Sequence, residues 1–257
     1  MAEKQSKKKP NELLRELLGY YWPSSALWRT YEADLLQKIN YPPPVLDIGC
    51  GPGFFSKSIF KKVEVGLDNG QEDLKVAEEI NLYQKTHCCS AKKIPYPRYY
   101  FGTVFANCVL EHIPQPEKVI SESARVLKKG GILVFTVPSE NFSSMLLSKN
   151  KHYIAFRNNS LKHFNLYSVA RWKEILNRFN LRLEKRIKYL DEITIKFWDL
   201  TEIPGFFSFR GKTLGIKIWE ITPKWIWQRL LTKPFTIFLK RKPKKKNGAN
   251  LLIARKL

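Results

Sequence analysis

The sequence predicts an α/β protein built on a parallel sheet with helices wound over it. Three observations carry this. The apolar run Val45-Leu46-Asp47-Ile48 breaks at glycines 49, 51 and 53, as a buried strand does when it turns sharply into a helix. Short apolar segments and helical patterns then alternate from residue 45 to 137, the signature of parallel strands joined by crossover helices. Finally, the Gly130-Gly131 pair separates a helical pattern from the apolar run 132–137. With 257 residues and 44% hydrophobic content, the chain suffices for one sizeable domain with insertions.

Taken in order, residues 1–10 read as a disordered basic tail carrying Lys4, Lys7, Lys8 and Lys9. Residues 11–41 form a helical cap with Leu13, Leu14, Leu17 and Leu18, and Pro42-Pro43-Pro44 ends it. A core follows over 42–190. Its first turn matches neither common phosphate loop: the dinucleotide fingerprint needs a glycine at 54, which is Phe54, and no Gly-Lys-Ser/Thr follows the turn. Residues 63–68 are a second strand ending in Asp68, where a carboxylate can take ribose hydroxyls; Asp68-Asn69-Gly70 is also a good turn sequence. Residues 103–107 are a fourth strand. The Gly130-Gly131 pair fits a helix C-cap before a fifth strand at 132–137. A polar stretch runs from Pro138 to about Asn165, a helix capped by Ser168 runs to Arg178, and a strand covers 181–189. Residues 191–247 are an insertion, and 248–257 hold the last strand.

The segment 45–56 resembles motif I, Asp-x-Gly-x-Gly-x-Gly, of the class I S-adenosylmethionine-dependent methyltransferases. Ser90-Ala91, Ile94-Pro95-Tyr96, Leu110-Glu111-His112-Ile113-Pro114 and residues 125–131 resemble later segments of the methyltransferase type 11 family, in the family's order. The resemblance covers residues 45–138. It implies a Rossmann-like doubly wound seven-stranded sheet whose last strand runs antiparallel beside the fifth, and a helical segment over the cofactor. It places Asp47, Gly49, Gly51 and Gly53, with Cys50, at the methionine end of S-adenosyl-L-methionine. Asp68, with Asn69, would hold the ribose, Ser90 and Ala91 would lie by the adenine, and Asn107 and Glu111 would border the sulfonium. The family carries an aspartate where this chain has Ser90.

Methyl transfer from a sulfonium is an in-line displacement that chiefly demands positioning, with a base only when the acceptor must lose a proton. His112 is the best base candidate by residue type, with Glu111 beside it; the alternative is a histidine that only holds its loop. His163 and Tyr167 are placed on the acceptor side. Some ubiquinone-pathway O-methyltransferases bind a metal through Glu-x-x-Glu-His, but here the run is Cys108-Val109-Leu110-Glu111-His112, so no metal is predicted. Neither Asn/Asp-Pro-Pro-Tyr nor Pro-Cys occurs, which disfavours common nucleic-acid base methylations.

The four cysteines at 50, 88, 89 and 108 form no C-x-x-C pair, and no apolar run reaches the ~18 residues of a membrane span. With no secretory pattern, the expectation is a cytoplasmic protein. A net charge of +22 points to polyanions: an anionic membrane surface or nucleic acid. The insertion carries Phe197, Trp198, Phe206, Phe207, Phe209, Trp219, Trp225, Trp227, Phe235 and Phe238, then Lys240, Arg241, Lys242, Lys244, Lys245 and Lys246. Ile226, Trp227, Leu230 and Leu231 fall on one helical face, with Gln228 and Arg229 opposite. Aromatics beside lysines match an in-plane membrane anchor; a lid over the acceptor or a nucleic-acid platform are the alternatives. The expectation is O-methylation of a small or lipid-linked acceptor near a membrane surface. An RNA methyltransferase or a non-catalytic cofactor-binding scaffold are its rivals.

Overall fold

The computed structural model describes residues 3–4, 6–203, 208–209, 212–213 and 221–257. Phe206, Phe207 and Trp219, and the side chain of Phe209, lie outside the described residues. Seven strands build the main sheet: β1 (Val45–Ile48), β2 (Phe60–Asp68), β3 (Tyr83–Cys88), β4 (Phe101–Asn107), β5 (Leu127–Pro138), β6 (Leu181–Tyr189) and β7 (Ala249–Lys256). Their spatial order is β3-β2-β1-β4-β5-β7-β6. The first five pair in parallel, and β7 runs antiparallel to both β5 and β6. The order of travel reverses between β1 and β4. In such a sheet a crevice opens at the carboxyl ends of the strands flanking that reversal.

Nine helices accompany the sheet among the described residues: α1 (Pro10–Leu17), α2 (Pro23–Leu36), α3 (Phe54–Lys57), α4 (Gln71–Glu79), α5 (Pro116–Val126), α6 (Lys151–Ser160), α7 (Val169–Arg178), α8 (Glu192–Glu202) and α9 (Lys224–Leu239). Strand side chains alternate between two cores, as a period of two requires. Val45, Val63, Phe105, Val134 and Leu251 face one core, which also holds the apolar faces of α1, α2, α8 and α9. Leu46, Val65, Val104, Phe135 and Leu252 face the other, with α5 and α7. The N-terminal cap and the insertion therefore share one core with the sheet.

Several expectations are corrected. The tail over 1–10 is docked where it is described. Glu3–Lys4 adds antiparallel to the start of β2, and the Lys8 amide and carbonyl bond the Gln37 side chain at 2.9 Å each. The glycines 130 and 131 are not a helix cap: α5 already ends at Val126, and they lie inside β5, where Gly130 takes φ +74°. The polar stretch after Pro138 contains α6. Its cap, Asn150, accepts from the His152 and Tyr153 amides, and its one buried residue, Arg157, pairs with Asp199 of α8 at 2.7 Å. Tyr153 and Ile154 reach the core only partly, and the one fully buried position is an arginine, so the apolar signal is weak.

The aromatic residues of α9 mostly face inward. Phe235 and Phe238 pack on Phe197 with ring centroids 5.3 and 4.1 Å apart, and Trp227 lies 6.4 Å from Trp22. The Tyr31 hydroxyl donates to the Phe238 carbonyl, and the Gln228 amide donates to the Arg15 carbonyl. Phe235 is buried and has no surface to offer a membrane, while Trp227 and Phe238 are half-buried against Trp22 and Phe197. The outward face instead carries Trp225, Leu230 and Ile237. No helix among the described residues is long and apolar enough to cross a membrane.

Phe235 is 3% exposed and Trp225 is 60% exposed. In urea unfolding, Phe235→Ala should lose about 3 kcal/mol, while Trp225→Ala should stay within about 0.5 kcal/mol of the parent.

Candidate active site

The expected crevice is present. A cavity of about 440 Å³ opens at the carboxyl ends of β1, β2 and β4. Gly49, Asp68, Asn69, Ser90 and Ala91 line one side of it, and Cys108, Val109 and His112 line the other. Its volume falls within the range of small-molecule sites, about 300–1,000 Å³. Gly49 is held at φ +67°, and a Cβ there would lie 2.5 Å from a Val109 methyl. Only glycine combines that backbone conformation with so close an approach. Gly51 is also left-handed, and no atom lies within 4 Å of where its Cβ would stand.

Asp68 is fixed before any ligand arrives. The Gly51 amide donates to Oδ2 and the Gly70 amide to Oδ1, each at 2.8 Å. Two backbone donors orient the carboxylate toward the cavity and leave it lone pairs for further donors.

Not every residue placed here by motif reaches the cavity. Asp47 is buried and accepts from the Ser56 hydroxyl at 2.6 Å and the Tyr83 hydroxyl at 2.7 Å. Burial raises its carboxyl to about 7 against those hydrogen bonds. Cys50 and Gly53 also stay off the lining. Cys50 is buried, and Gly53 starts α3 at φ +79° against Ile80 and Tyr83. These three brace the turn from behind. Asn107 is turned away too: its amide donates to Glu32 at 2.9 Å, and its oxygen accepts from Thr136 at 2.9 Å. Ser90 is exposed, and its hydroxyl accepts from the Lys92 amide at 3.2 Å, closing a local turn.

A second, smaller cavity of about 150 Å³ shares Cys108 and His112 with the first. Trp28, Phe142, Trp198, Leu161 and Pro138 give it apolar walls. Glu111, His112, His163, Arg29, Ser25 and Cys108 supply its polar atoms. Glu111 Oε2 and His163 Nδ1 are buried there without a hydrogen-bond partner among the described residues. Burial raises the Glu111 carboxyl to about 8, so the acid is mostly protonated at neutral pH. Burial also lowers His163 to about 4 and moves His112 below its ordinary value, keeping both imidazoles neutral. His112 Nδ1 lies 3.2 Å from the Lys162 carbonyl. A carbonyl only accepts, so Nδ1 carries the proton and Nε2 keeps its lone pair. Tyr167 is not part of this cavity; its ring packs on Trp172 at 5.2 Å.

Motif reading missed the residues that α2 supplies. Glu32 is fully buried and accepts from Trp28 (2.8 Å), Arg29 (2.8 Å), Cys108 (2.9 Å), Asn107 (2.9 Å) and Tyr189 (2.7 Å). Burial opposes its charge, but Arg29 and these donors prevail and hold the carboxyl below its usual range. Trp28, Arg29 and Cys108 all line the second cavity. The available signal was an Arg-x-x-Glu pair among the apolar residues Leu27, Trp28, Tyr31 and Ala33.

The comparisons agree with this geometry. The methyltransferase type 11 family model, described as a methyltransferase domain, matches residues 46–135. A ubiquinone biosynthesis O-methyltransferase of Nitrosomonas europaea is 30% identical over 52% of this chain and 64% of its own. A methyltransferase of Thermotoga maritima, described as a possible histamine N-methyltransferase, superposes with TM-score 0.59 over 89% of each chain at 13% identity. A phosphoethanolamine N-methyltransferase of Haemonchus contortus, solved with S-adenosyl-L-methionine, superposes with TM-score 0.61 over 98% of this chain and 58% of its own, at 16% identity. The match falls on β1 to β5, which include the three strands whose ends frame the larger cavity.

Residues 46–135 are a class I S-adenosylmethionine-dependent methyltransferase domain.

The chain spans about half the length of most of the ubiquinone biosynthesis O-methyltransferases it matches. The methyltransferase's cofactor is S-adenosyl-L-methionine. The larger cavity fits it: the Gly49 cradle admits a close ligand, and the Asp68 carboxylate stands ready for a ribose diol. Asp68, Asn69, Gly49, Ser90 and Ala91 would hold it, and Gly51, off the lining, orients the Asp68 carboxylate through its amide.

Hydrogen bonds to a charged group contribute about 1.5–3 kcal/mol. Asp68→Ala should therefore raise the S-adenosylmethionine Kd about 10- to 100-fold in calorimetric titration. Glu111 adds a pH signature. Its folded carboxyl, at about 8, stands above the ordinary 4.5, so folding takes up a proton between those values. Stability then falls as pH rises through that window. Glu111→Gln should flatten the decline in Tm from pH 5 to pH 8. Asp47, raised in the same direction, should preserve the remainder.

Proposed function

We propose that the protein transfers a methyl group from S-adenosyl-L-methionine to an oxygen of a small or lipid-linked acceptor, working as a peripheral enzyme at a membrane surface. One observation carries the reading: His112 lies on the boundary between the cofactor cavity and the second cavity. The second cavity is the acceptor pocket in this reading. Its walls are aromatic and aliphatic, and two buried polar atoms there await a partner.

Bound S-adenosylmethionine supplies a methyl group already activated on a sulfonium. The chain's own task is to orient the acceptor in line with it and to take the proton the acceptor releases. Trp28, Phe142 and Trp198 clasp the acceptor body. The Glu111 acid, protonated at neutral pH, donates to an acceptor oxygen. His112 Nε2 takes the hydroxyl proton as the new carbon–oxygen bond forms, and the resulting imidazolium returns it to solvent. His112 is half-exposed, which gives that proton an exit.

The membrane surface is supported by the +22 charge and by the outward Trp225, Leu230 and Ile237 of α9. The ubiquinone biosynthesis O-methyltransferases among the relatives are consistent with an oxygen acceptor.

The deciding experiment incubates the protein with methyl-labelled S-adenosylmethionine and a cell extract, then separates lipid, RNA, protein and small-molecule fractions. Label in lipids or in small hydroxylated molecules supports the proposal, and label in RNA overturns the acceptor class. Once an acceptor is identified, kcat should hold down to pH 6.5 and fall below it, because His112 titrates below its ordinary value and must be neutral. His112→Ala should lower kcat about 100-fold or more with KM little changed.

A further inference from the structure

The basic run 240–246 is a loop held at both ends. At its start, Arg241 grips Asp191 at 2.6–2.7 Å, and its amide bonds the Phe238 carbonyl. At its end, the Gly248 amide donates to the Leu190 carbonyl and the Ser139 amide to the Gly248 carbonyl, both at 2.8 Å. Asn247 is buried between these contacts, its amide bonding the Ala249 carbonyl at 2.6 Å. The loop walls an open cleft of about 890 Å³, completed by Met145, Asp191, Glu192 and Ile193. Its two acids are already engaged, Asp191 by Arg241 and Glu192 by Lys196 at 2.7 Å. Lys240, Lys242, Lys244, Lys245 and Lys246 form no ion pair among the described residues. The cleft thus presents five lysines outside any close ion pair among the described residues, Lys246 acting on Glu192 only at longer range, on a loop anchored at both ends.

Its surroundings are aliphatic. Ile193, in the lining, is 54% exposed, and Ile237, one turn before Lys240 on α9, is 66% exposed. Leu147 and Leu200 are exposed on the neighbouring segments. A surface that grips single strands of nucleic acid offers aromatic faces for bases to stack on, and this lining has none. Ammonium groups beside exposed aliphatic side chains fit the boundary between lipid phosphate and acyl chain.

We infer that this cleft seats the phosphate groups of anionic membrane lipids while Ile193, Ile237 and their neighbours enter the adjoining acyl layer. The inference rests on the membrane-surface reading above and assigns it a site. It also places the bilayer close to the acceptor pocket: Met145 lines the cleft and Phe142 lines the pocket, at opposite ends of one short 3-10 helix.

The test is vesicle co-sedimentation of the full chain on phosphatidylcholine with and without phosphatidylglycerol. The parent should bind only the anionic vesicles. Replacing the five lysines by glutamine (K240Q, K242Q, K244Q, K245Q and K246Q together) should weaken that binding about tenfold or more, and K→R replacements should restore it. Ile193→Ser with Ile237→Ser should weaken it with the salt dependence retained. S-adenosylmethionine binding, measured by calorimetry, should be unchanged in every variant. Its absence from the parent would fail the methyltransferase reading without touching the vesicle result. Equal binding to both vesicle types, or none, overturns the inference. So does lysine-dependent capture of inorganic pyrophosphate or single-stranded RNA without vesicle binding, which would assign the cleft to free phosphate or to nucleic acid.

Discussion

The site depends on one buried carboxylate. Glu32 sits on α2 with no solvent contact and gathers donors from its own helix, from the end of β4 and from β6. A charge in that position is costly unless it is paired and fully hydrogen-bonded. Arg29 supplies the pairing, and Trp28, Cys108, Asn107 and Tyr189 complete the shell. The same bonds set the rotamers of Trp28, Arg29 and Cys108, which all line the second cavity. The helical cap is therefore bonded into the floor of the site, and moving it would expose an ion to an apolar core.

Around this hub the protein separates two kinds of polar residue. Asp47, Asn107 and Glu32 are satisfied internally and maintain shape. Asp68, Glu111, His112 and His163 face cavities, and the last three are kept neutral at physiological pH by burial. Glu111 Oε2 and His163 Nδ1, in the second cavity, are buried without a hydrogen-bond partner among the described residues. Buried donors and acceptors without partners are rare because each costs about 1–3 kcal/mol. The position of these two in a cavity that adjoins the larger one is consistent with an incoming ligand completing them.

The insertion divides in the same way. Its inward aromatics Phe197, Phe235 and Phe238 belong to the core shared with α1 and α2, and Trp227 is half-buried beside Trp22. Its outward residues and the lysine loop form a surface of a different character, apolar and cationic together. Because β7 follows immediately after the loop, the strand pairing that closes the sheet also holds the lysines in place.

Much of this was legible in the chain itself. The apolar runs of β1, β2, β4 and β5, the glycine turn at 49–53 with its positive φ values, the Ser168 cap and the carboxylate at the end of β2 are local features. Each is set by a short-range rule: side-chain period, the absence of a Cβ, or a hydroxyl within reach of an amide. Tertiary structure decided which polar residues met a cavity and which met one another. Asp47 and Asp68 both end apolar runs, yet one is buried against Ser56 and Tyr83 while the other faces the cleft. Glu32 acquired Tyr189 as a partner from 157 positions away. Phe235 and Trp225 lie on one amphipathic helix, and only its packing on Phe197 and α1 determined which of them faced solvent. Spacing along the chain records which residues share a face. The identity of the opposing surface is a property of long-range contacts, and the partners, burial and ionisation of the site residues follow from it.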